Sequence, residues 1–415
     1  MPSNILAIDF GTSNSAAAIV ESGQVRHIPV EAGGQTLPTA VFFPQGGGTM
    51  RIGEAALDAL IAGDEGRFMR ALKSILGTSL LHESRLIAGR RRTLSDVITA
   101  FLRELRLRSE AATGRSFPRA LSGRPVRFHS ADDEADARAE EDLRACYLAA
   151  GFDEVTFLAE PEAAAIACGG LGGDSGIGLI VDIGGGTSDF SAFRATPEGP
   201  EILANHGIRL GGTDFDHALS MAFAMPELGL GGELRREMGE GRLPVPRAPY
   251  IDLSTWAKIP FLYTPETRRS VERMVRLAVE PKRMERLSAV LTLELGHELA
   301  FAVEAGKISA NGDAGAGRIA MDVVEPGLGV PLSSADLDAV LDDARAQLGE
   351  AAGRTLAAAG AAPGDIARIV LVGGSSLMGF VESEMRALCP DATSIRANAF
   401  TAVVDGLALA AQRAA

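Results

Sequence analysis

Cysteine is scarce: Cys146, Cys168 and Cys389 are the three in 415 residues, widely spaced and set in apolar stretches. An odd, scattered set supports neither a disulfide framework nor a zinc cage, and buried thiols are the plainer reading. Basic charge is short as well. With 40 Lys and Arg against 54 Asp and Glu, the formal net charge is −14, which repels a phosphate backbone and argues against nucleic-acid binding. No apolar run approaches membrane-spanning length, and the opening MPSNILAID has no basic n-region and meets a charge at Asp9. These shortages lead us to expect a cytoplasmic protein with no membrane and no nucleic-acid partner.

Three catalytic signatures are missing too. There is no GxxxxGK[ST], so a P-loop is excluded. His297-Glu298 begins like HExxH, but the closing position is Phe301, so no zincin pair forms. GGSSLMG places Ser375 and Ser376 after an apolar run without satisfying GxSxG, which removes a hydrolase nucleophile elbow.

What is present begins with a near-repeat. ILAIDFGTSNSAAAIV at residues 5 to 20 returns as GLIVDIGGGTSDFSAF at residues 178 to 193. In each copy a buried strand ends in a carboxylate and runs into a turn of Gly, Thr and Ser. Glycine lets a backbone aim its N–H groups at a ligand, so such a turn can cradle a phosphate, and two of them suggest a polyphosphate between two lobes.

Between and beyond the copies, strands and helices alternate. TAVFFP (39 to 44) reads as a strand, Phe68 to Leu76 as a helix closed by Gly77, and helical patterns continue to about Ser109. VRFHS (126 to 130) reads as a strand before a helix whose Leu143, Cys146, Tyr147 and Ala150 share a face capped by Gly151, and VTFLA (155 to 159) as the next strand. The pattern predicts an α/β architecture built twice, with a boundary near the GGLGGDSG run. From Glu227 to Arg269 the composition shifts and Trp256, the only tryptophan, lies between Tyr250 and Tyr263, as in an inserted subdomain. Past Pro281 a long helix is predicted, with Leu287, Leu291, Leu295, Leu299 and Val303 as its buried stripe. Glu304, Lys307, Ile308 and Asn311 then follow on one face. IVLVGGSS (369 to 376) is a further strand ending in glycines, and an Ala-rich helix closes the chain.

Each polar candidate also has an ordinary reading. Asp9 and Asp182 end their strands where a phosphate turn begins and could hold a hydrated Mg²⁺, although a strand-terminal Asp is commonly a turn residue. Glu160 before Pro161 suits a strand-to-helix switch, or merely the electrostatics of a helix start. Lys73 falls in a last helical turn, which favours a cation whatever the function. The aromatic cluster around Trp256 reads as core or as a partner surface, and acidic Asp132 to Asp142 as a solvated helix face.

Taken in order, IDFGTSNS, LKSILG, AEPEAAAIACG, VDIGGGTSDFS, IRLGGTDFD, VEAGKISAN and VLVGGSS resemble the actin-like ATPase fold, specifically the ATPase domain of the seventy-kilodalton heat-shock chaperones of DnaK type. The resemblance spans nearly the whole chain, and YIDLSTWAKIPFLYTP resembles the YegD-like branch. It implies two similar lobes with mixed sheets and flanking helices and a nucleotide in the cleft. Lobe I would comprise 1–165 plus 396–415, and lobe II 166–395 with an insertion at about 216–300. It further implies that Asp9, Gly11, Thr12, Ser13 and Asn14 form one phosphate hairpin and Gly184, Gly185, Gly186 and Thr187 the other. Thr12 and Thr187 would hold the γ-phosphate, and Gly211, Gly212 and Thr213 a matching loop. Lys73 would orient the attacking water among Glu160, Asp182 and Asp189, with Asp9, Glu160 and Asp182 reaching the metal through waters. Glu304, Lys307, Gly373, Gly374 and Ser375 match the adenosine pocket.

Around that pocket the sequence departs from the family. Ile308 and Leu377 stand where arginines are found, and Phe400 where an acidic residue is usual, so the base pocket, to which Asn311 is also assigned, is more apolar. Asn14 replaces an aromatic residue common in the first hairpin, a substitution that bears on K⁺ as a further ion. The resemblance ends in AVVDGLALAAQRAA, which matches the closing helix of an ATPase domain, so no peptide-binding domain is expected in cis. The expected function is therefore binding and hydrolysis of ATP with Mg²⁺, leaving ADP, with any protein client or co-chaperone acting in trans. Alternatives of other classes are a non-hydrolysing ATP-dependent scaffold, an actin-like filament former and a small-molecule kinase of the same superfamily.

Overall fold

The computed structural model describes residues 4–31, 34–130, 132–168, 176–196, 199–312, 314–397 and 401–413. They fall into two compact units, Met1–Gly212 with Arg345–Ala415, and Thr213–Ala344. Both glycine turns of the near-repeat lie in the first unit, so the two-lobe division expected from the sequence cuts through it.

The first unit holds two five-stranded arrangements of the same order. In one, Ile5–Phe10 lies between the antiparallel Asn14–Glu21 and the parallel Arg119–Arg124, flanked by Gln24–His27 and Glu154–Ala159. In the other, Ile177–Ile183 lies between the antiparallel Ser188–Thr196 and the parallel Ile366–Val372, flanked by Gly199–Ile208 and Thr393–Arg396. Counting strands along the chain, each runs third, second, first, fourth, fifth; the two-residue strand Leu37–Pro38 adds to the first sheet. The central strands are apolar almost throughout because both of their faces are covered, as in other parallel sheets.

Small residues decide how closely the covering helices approach. Ala7, Ala16 and Ala18 pack in one cluster with Ala163 to Ala165 of helix Glu160–Cys168, with Val403, Val404 and Leu407 of helix Ala402–Arg413, and with Ile180 and Val370 of the second sheet. Where the two helices cross, a Cβ on Gly406 would fall 1.7 Å from the Ala163 carbonyl oxygen, so only glycine fits. This layer brings the ends of both central strands to the same region.

Three expectations about local structure are corrected. Phe68 to Leu76 is no α-helix: Gly66–Arg70 is a strand paired with Ala40–Pro44, followed by a 3₁₀ turn at Leu72–Ile75. Pairing of Phe68 with Phe42 overrides local propensity, and Ala71 at φ 59° and Gly77 at φ 74° bound the turn. VRFHS forms no strand either; the strand is Arg119–Arg124, and the Phe128 and His129 N–H groups donate to Asp136 Oδ1 at 2.6 and 3.2 Å instead. The long helix past Pro281 is broken into Pro281–Thr292 and Gly296–Asn311, with Glu294 at φ 60° between them. A Cβ at Gly296 would meet Ile259 Cγ2 at 2.6 Å and the Tyr263 hydroxyl at 2.7 Å, which places a glycine at the break. Leu287, Leu291, Leu299 and Val303 of the expected stripe are buried, and Leu295 at the break is half-buried.

The second unit contains the segment at about 216–300 that was expected as an insertion. Its core includes Trp256, stacked edge-on against Phe301 at 5.0 Å between ring centres. Phe400 and most of the GGLGGDSG run lie outside the described residues. No described helix is long and apolar enough to cross a membrane.

Candidate functional site

The two glycine turns of the first unit meet. At Gly11 a Cβ would lie 2.2 Å from the Asn14 carbonyl oxygen, so the first turn closes only around glycine. At Gly185 a Cβ would lie 2.6 Å from Ser13 Oγ and 3.0 Å from Thr12 Cβ, and at Gly186 it would lie 3.2 Å from Thr12 Oγ1. The hydroxyl side chains of one turn therefore face bare backbone of the other. The second turn is closed by the Gly184 N–H donating to the Thr187 carbonyl at 3.0 Å.

Two further loops converge on that turn. The Gly212 N–H donates to the Gly184 carbonyl at 3.0 Å, and a Cβ at Gly211 would fall 2.6 Å from the Gly186 nitrogen. At Gly373, φ is 80° and a Cβ would lie 2.3 Å from the Ile183 carbonyl oxygen, while one at Gly212 would lie 2.3 Å from Ser375 Oγ. Gly374–Leu377 forms the 3₁₀ turn after strand Ile366–Val372, with Ser375 inside it, and the Ser376 hydroxyl is spent on the Gly373 carbonyl. Backbone packed this tightly at several glycines makes a cradle that side chains would fill.

Beside the cradle sits a cluster of buried charge. Lys73 Nζ lies 2.5 Å from Glu160 Oε1, and Asp9, Asp182 and Asp189 act on the same pair electrostatically. Glu160 opens helix Glu160–Cys168 directly after strand Glu154–Ala159, which points it at the strand ends. Burial lifts the Asp9 carboxyl to about 7, reinforced by Glu160 and opposed by Lys73. Burial and then Glu160 lift Asp189 to about 8, although the Val126 N–H, 2.7 Å away, and Thr187 pull the other way. Asp182 is raised well above its ordinary value by burial, then by Glu160, Asp189 and Asp9. Burial alone would lower the Lys73 ammonium, but Glu160, Asp9 and Asp189 together hold it above its usual value. One lysine against four carboxylates leaves the cluster short of positive charge.

The donors suit the groups that the resemblance implies. Hard carboxylate oxygens with a deficit of positive charge fit Mg²⁺, and a glycine-lined cradle fits phosphate. Among the described residues no three His, Cys, Asp or Glu side chains form a direct metal cage. Thr12, Thr187 and Lys73 line one cleft together with His129 and Arg209.

The Hsp70 protein family model matches residues 5–228, more than half of the chain and all of the turns just described except the Gly373 loop. This chain belongs to the Hsp70 family. It is 34% identical over 223 residues to the chaperone protein DnaK of Endomicrobium trichonymphae, covering 52% of this chain and 34% of that protein. To the HscA homolog of Pseudomonas putida it is 31% identical over 249 residues, 55% of this chain and 38% of the relative. To the HscA homolog of Azotobacter vinelandii it is 32% identical over 298 residues, 66% and 46%. The match thus spans between about a third and a half of the length of these relatives.

In this Hsp70-family chain the remaining candidates lie in the second unit, where Thr213 follows Gly212 into helix Gly212–Leu219. Glu304, Lys307, Ile308 and Asn311 share helix Gly296–Asn311 but differ in burial: Lys307 is buried, Glu304 and Asn311 are half-buried, and Ile308 is 62% exposed. Lys307 Nζ is 2.6 Å from Asp216 Oδ1, and Asp216 Oδ2 accepts from Trp256 Nε1 at 3.1 Å. Asp216 was missed in the sequence, although its place in the GGTDFD motif was a signal. His129 and Arg209 were missed as well; one is a histidine in an apolar stretch, the other a cation directly before Leu-Gly-Gly.

Proposed function

We propose that this Hsp70-family chain binds Mg-ATP at its paired glycine turns and hydrolyses it, as a chaperone-like ATPase of the cytoplasm. The observation that carries the reading is the approach of Thr12 and Ser13 to Gly185 and Gly186 beside the buried Lys73–Glu160 pair. Free, buried Cys146, Cys168 and Cys389 fit a reducing compartment. Transfer of a phosphoryl group to water depends on positioning and neutralisation of charge more than on covalent chemistry. In this reading the Lys73 ammonium donates to the attacking water and fixes its direction. Glu160 holds that ammonium in place, while Asp182 and Asp189 accept from the water or from those around the ion. Thr12 and Thr187 donate to the γ-phosphate, the N–H groups of both turns to the phosphate chain, and Gly373, Gly374 and Ser375 border the nucleoside. Asp9, Glu160 and Asp182 would hold Mg²⁺ through waters, and the ion would supply neutralisation of the phosphate charge.

Closure of the two lobes driven by Mg-ATP is the proposed output, and a protein client or co-chaperone is the proposed partner, by kinship with DnaK and HscA. The YIDLSTWAKIPFLYTP stretch supports placement in the YegD-like branch. Calorimetric titration with ATP, ADP and GTP, each with and without Mg²⁺, followed by measurement of phosphate release, tests the reading. Mg-dependent binding of ATP and ADP with phosphate release is expected. Tight ATP binding without release would favour the scaffold, and absence of nucleotide binding would refute the proposal.

A further inference from the structure

The turn that carries Lys73 is held by two side chains on separate segments. Arg209 donates through Nη2 to the Ser74 carbonyl at 2.8 Å and through Nη1 to His129 Nδ1 at 2.9 Å. A guanidinium has only donors, so Nδ1 must be the accepting nitrogen and His129 carries its proton on Nε2. That Nε2–H donates to the Leu76 carbonyl at 2.7 Å. Arg209 and His129 thus grip both carbonyls that flank Ile75, one directly and one in relay. The Arg209 N–H, in turn, donates to Ser130 Oγ at 3.2 Å, which ties its own loop to the His129 segment.

This grip acts on backbone with little freedom to settle elsewhere. Ala71, a non-glycine residue at φ 59°, enters the turn in the left-handed region, and such residues persist only where the surroundings impose them. Gly77 leaves it at φ 74°, where a Cβ would fall 2.3 Å from the Ala135 carbonyl oxygen. Two residues after Arg209, Gly211 rests on Gly186 of the second phosphate turn. The fork of one arginine therefore joins the Lys73 turn to the loop that abuts the second phosphate turn.

We propose that Arg209 and His129 are positioning residues that fix the Lys73 turn relative to the phosphate cradle, setting the hydrolytic rate without holding the nucleotide. The proposal rests on the ATPase reading above, and its test separates the two. Hydrogen exchange is measured on the nucleotide-free full chain for wild type, Arg209→Gln, His129→Ala and Arg209→Lys, alongside single-turnover hydrolysis and Mg-ADP affinity. In Arg209→Gln and His129→Ala the amides of Leu76 and Thr78, bonded to the Lys73 and Ile75 carbonyls at 3.3 and 3.2 Å, should exchange at least ~10-fold faster. Hydrolysis should fall by roughly 10- to 100-fold, the scale of a small misplacement of a catalytic group, while Mg-ADP affinity stays within about threefold. Arg209→Lys keeps the charge but cannot span both acceptors, so it should fall between wild type and Arg209→Gln. Unchanged exchange in both disruptive variants would overturn the clamp. Faster exchange with an unchanged rate would overturn its role in positioning. A wild type that binds no nucleotide would sink the ATPase reading, while the exchange data still decide whether the clamp exists.

Discussion

Asp182 and Asp189 are cross-strand partners at the head of one hairpin, both buried and both lifted above the ordinary carboxylate range. A carboxyl with a raised folded pKa binds its proton more tightly in the native state than when unfolded. Its contribution to stability is then complete below about pH 4 and is lost as pH rises through the folded value. For Asp9 that loss runs from about pH 4 and is complete near 7, and for Asp189 it is complete near 8. The nucleotide-free protein in a chelator should therefore melt at a lower temperature at pH 9 than at pH 6. Asp189→Asn, which can still accept from the Val126 N–H, should flatten the upper part of that fall, and Mg²⁺ should restore some of the lost stability. A melting temperature that rises over the same interval in wild type would contradict the electrostatics of the cluster.

The Lys73–Glu160 pair allows catalysis and stability to be separated. Lys73→Met keeps most of the side-chain volume but strips the only lysine from a nest of carboxylates. Breaking a buried pair by removing one partner costs about 3–5 kcal/mol, whereas replacing both partners is far milder. Urea unfolding should show Lys73→Met clearly destabilised and Lys73→Met/Glu160→Gln partly restored. If the lysine orients the water, single-turnover hydrolysis should stay reduced by at least ~100-fold in both. Hydrolysis that recovers together with stability would show that Lys73 is structural.

How much of this could be read from the sequence differs from residue to residue. The paired turns were legible because an apolar strand, a terminal carboxylate and clustered glycines are contiguous in each copy. The matching strand order was not, since Arg119–Arg124 and Ile366–Val372 reach their partners across more than a hundred residues. VRFHS looked extended because Val126 and Phe128 alternate with polar residues, yet its N–H groups are taken by Asp189 and Asp136 from elsewhere in the chain. The Lys73 turn looked helical because nothing local reveals that Phe68 pairs with Phe42. Arg209 lies inside IRLGGTDFD without the motif marking it out, and His129 lies in none; 80 residues apart in the chain, they acquire meaning from their mutual hydrogen bond.

Two glycines in helices should respond oppositely to alanine. Gly406 meets the Ala163 carbonyl oxygen where its Cβ would go, at 1.7 Å, and a backbone neighbour cannot swing aside as a side-chain tip can. Gly406→Ala should force helix Ala402–Arg413 away from helix Glu160–Cys168 and cost about 1–3 kcal/mol or more. Gly353, inside helix Asp342–Ala358, has nothing within 4 Å of the same point. There alanine should stabilise by up to ~1 kcal/mol through helix propensity. Chemical denaturation of the two variants checks both signs, and a neutral Gly406→Ala would mean that the two helices do not cross as closely as described.

Lys307 is already committed to Asp216, and that commitment competes with the adenosine contact implied by the resemblance. Both groups are buried, and Asp216 is raised from its ordinary value by burial despite the lysine beside it. Asp216→Leu would leave an ammonium buried without its carboxylate, at a cost of about 3–5 kcal/mol, and Asp216→Leu/Lys307→Met should recover most of it. Trp256 donates to the same carboxylate and is the only tryptophan, so its fluorescence reports the environment of Asp216 directly. If Lys307 serves the ion pair, Mg-ATP affinity in the double variant should stay within about threefold of wild type, a difference of less than about 1 kcal/mol. A loss of affinity by ~30-fold or more, with stability restored and the Trp256 spectrum close to native, would assign Lys307 to the nucleotide instead.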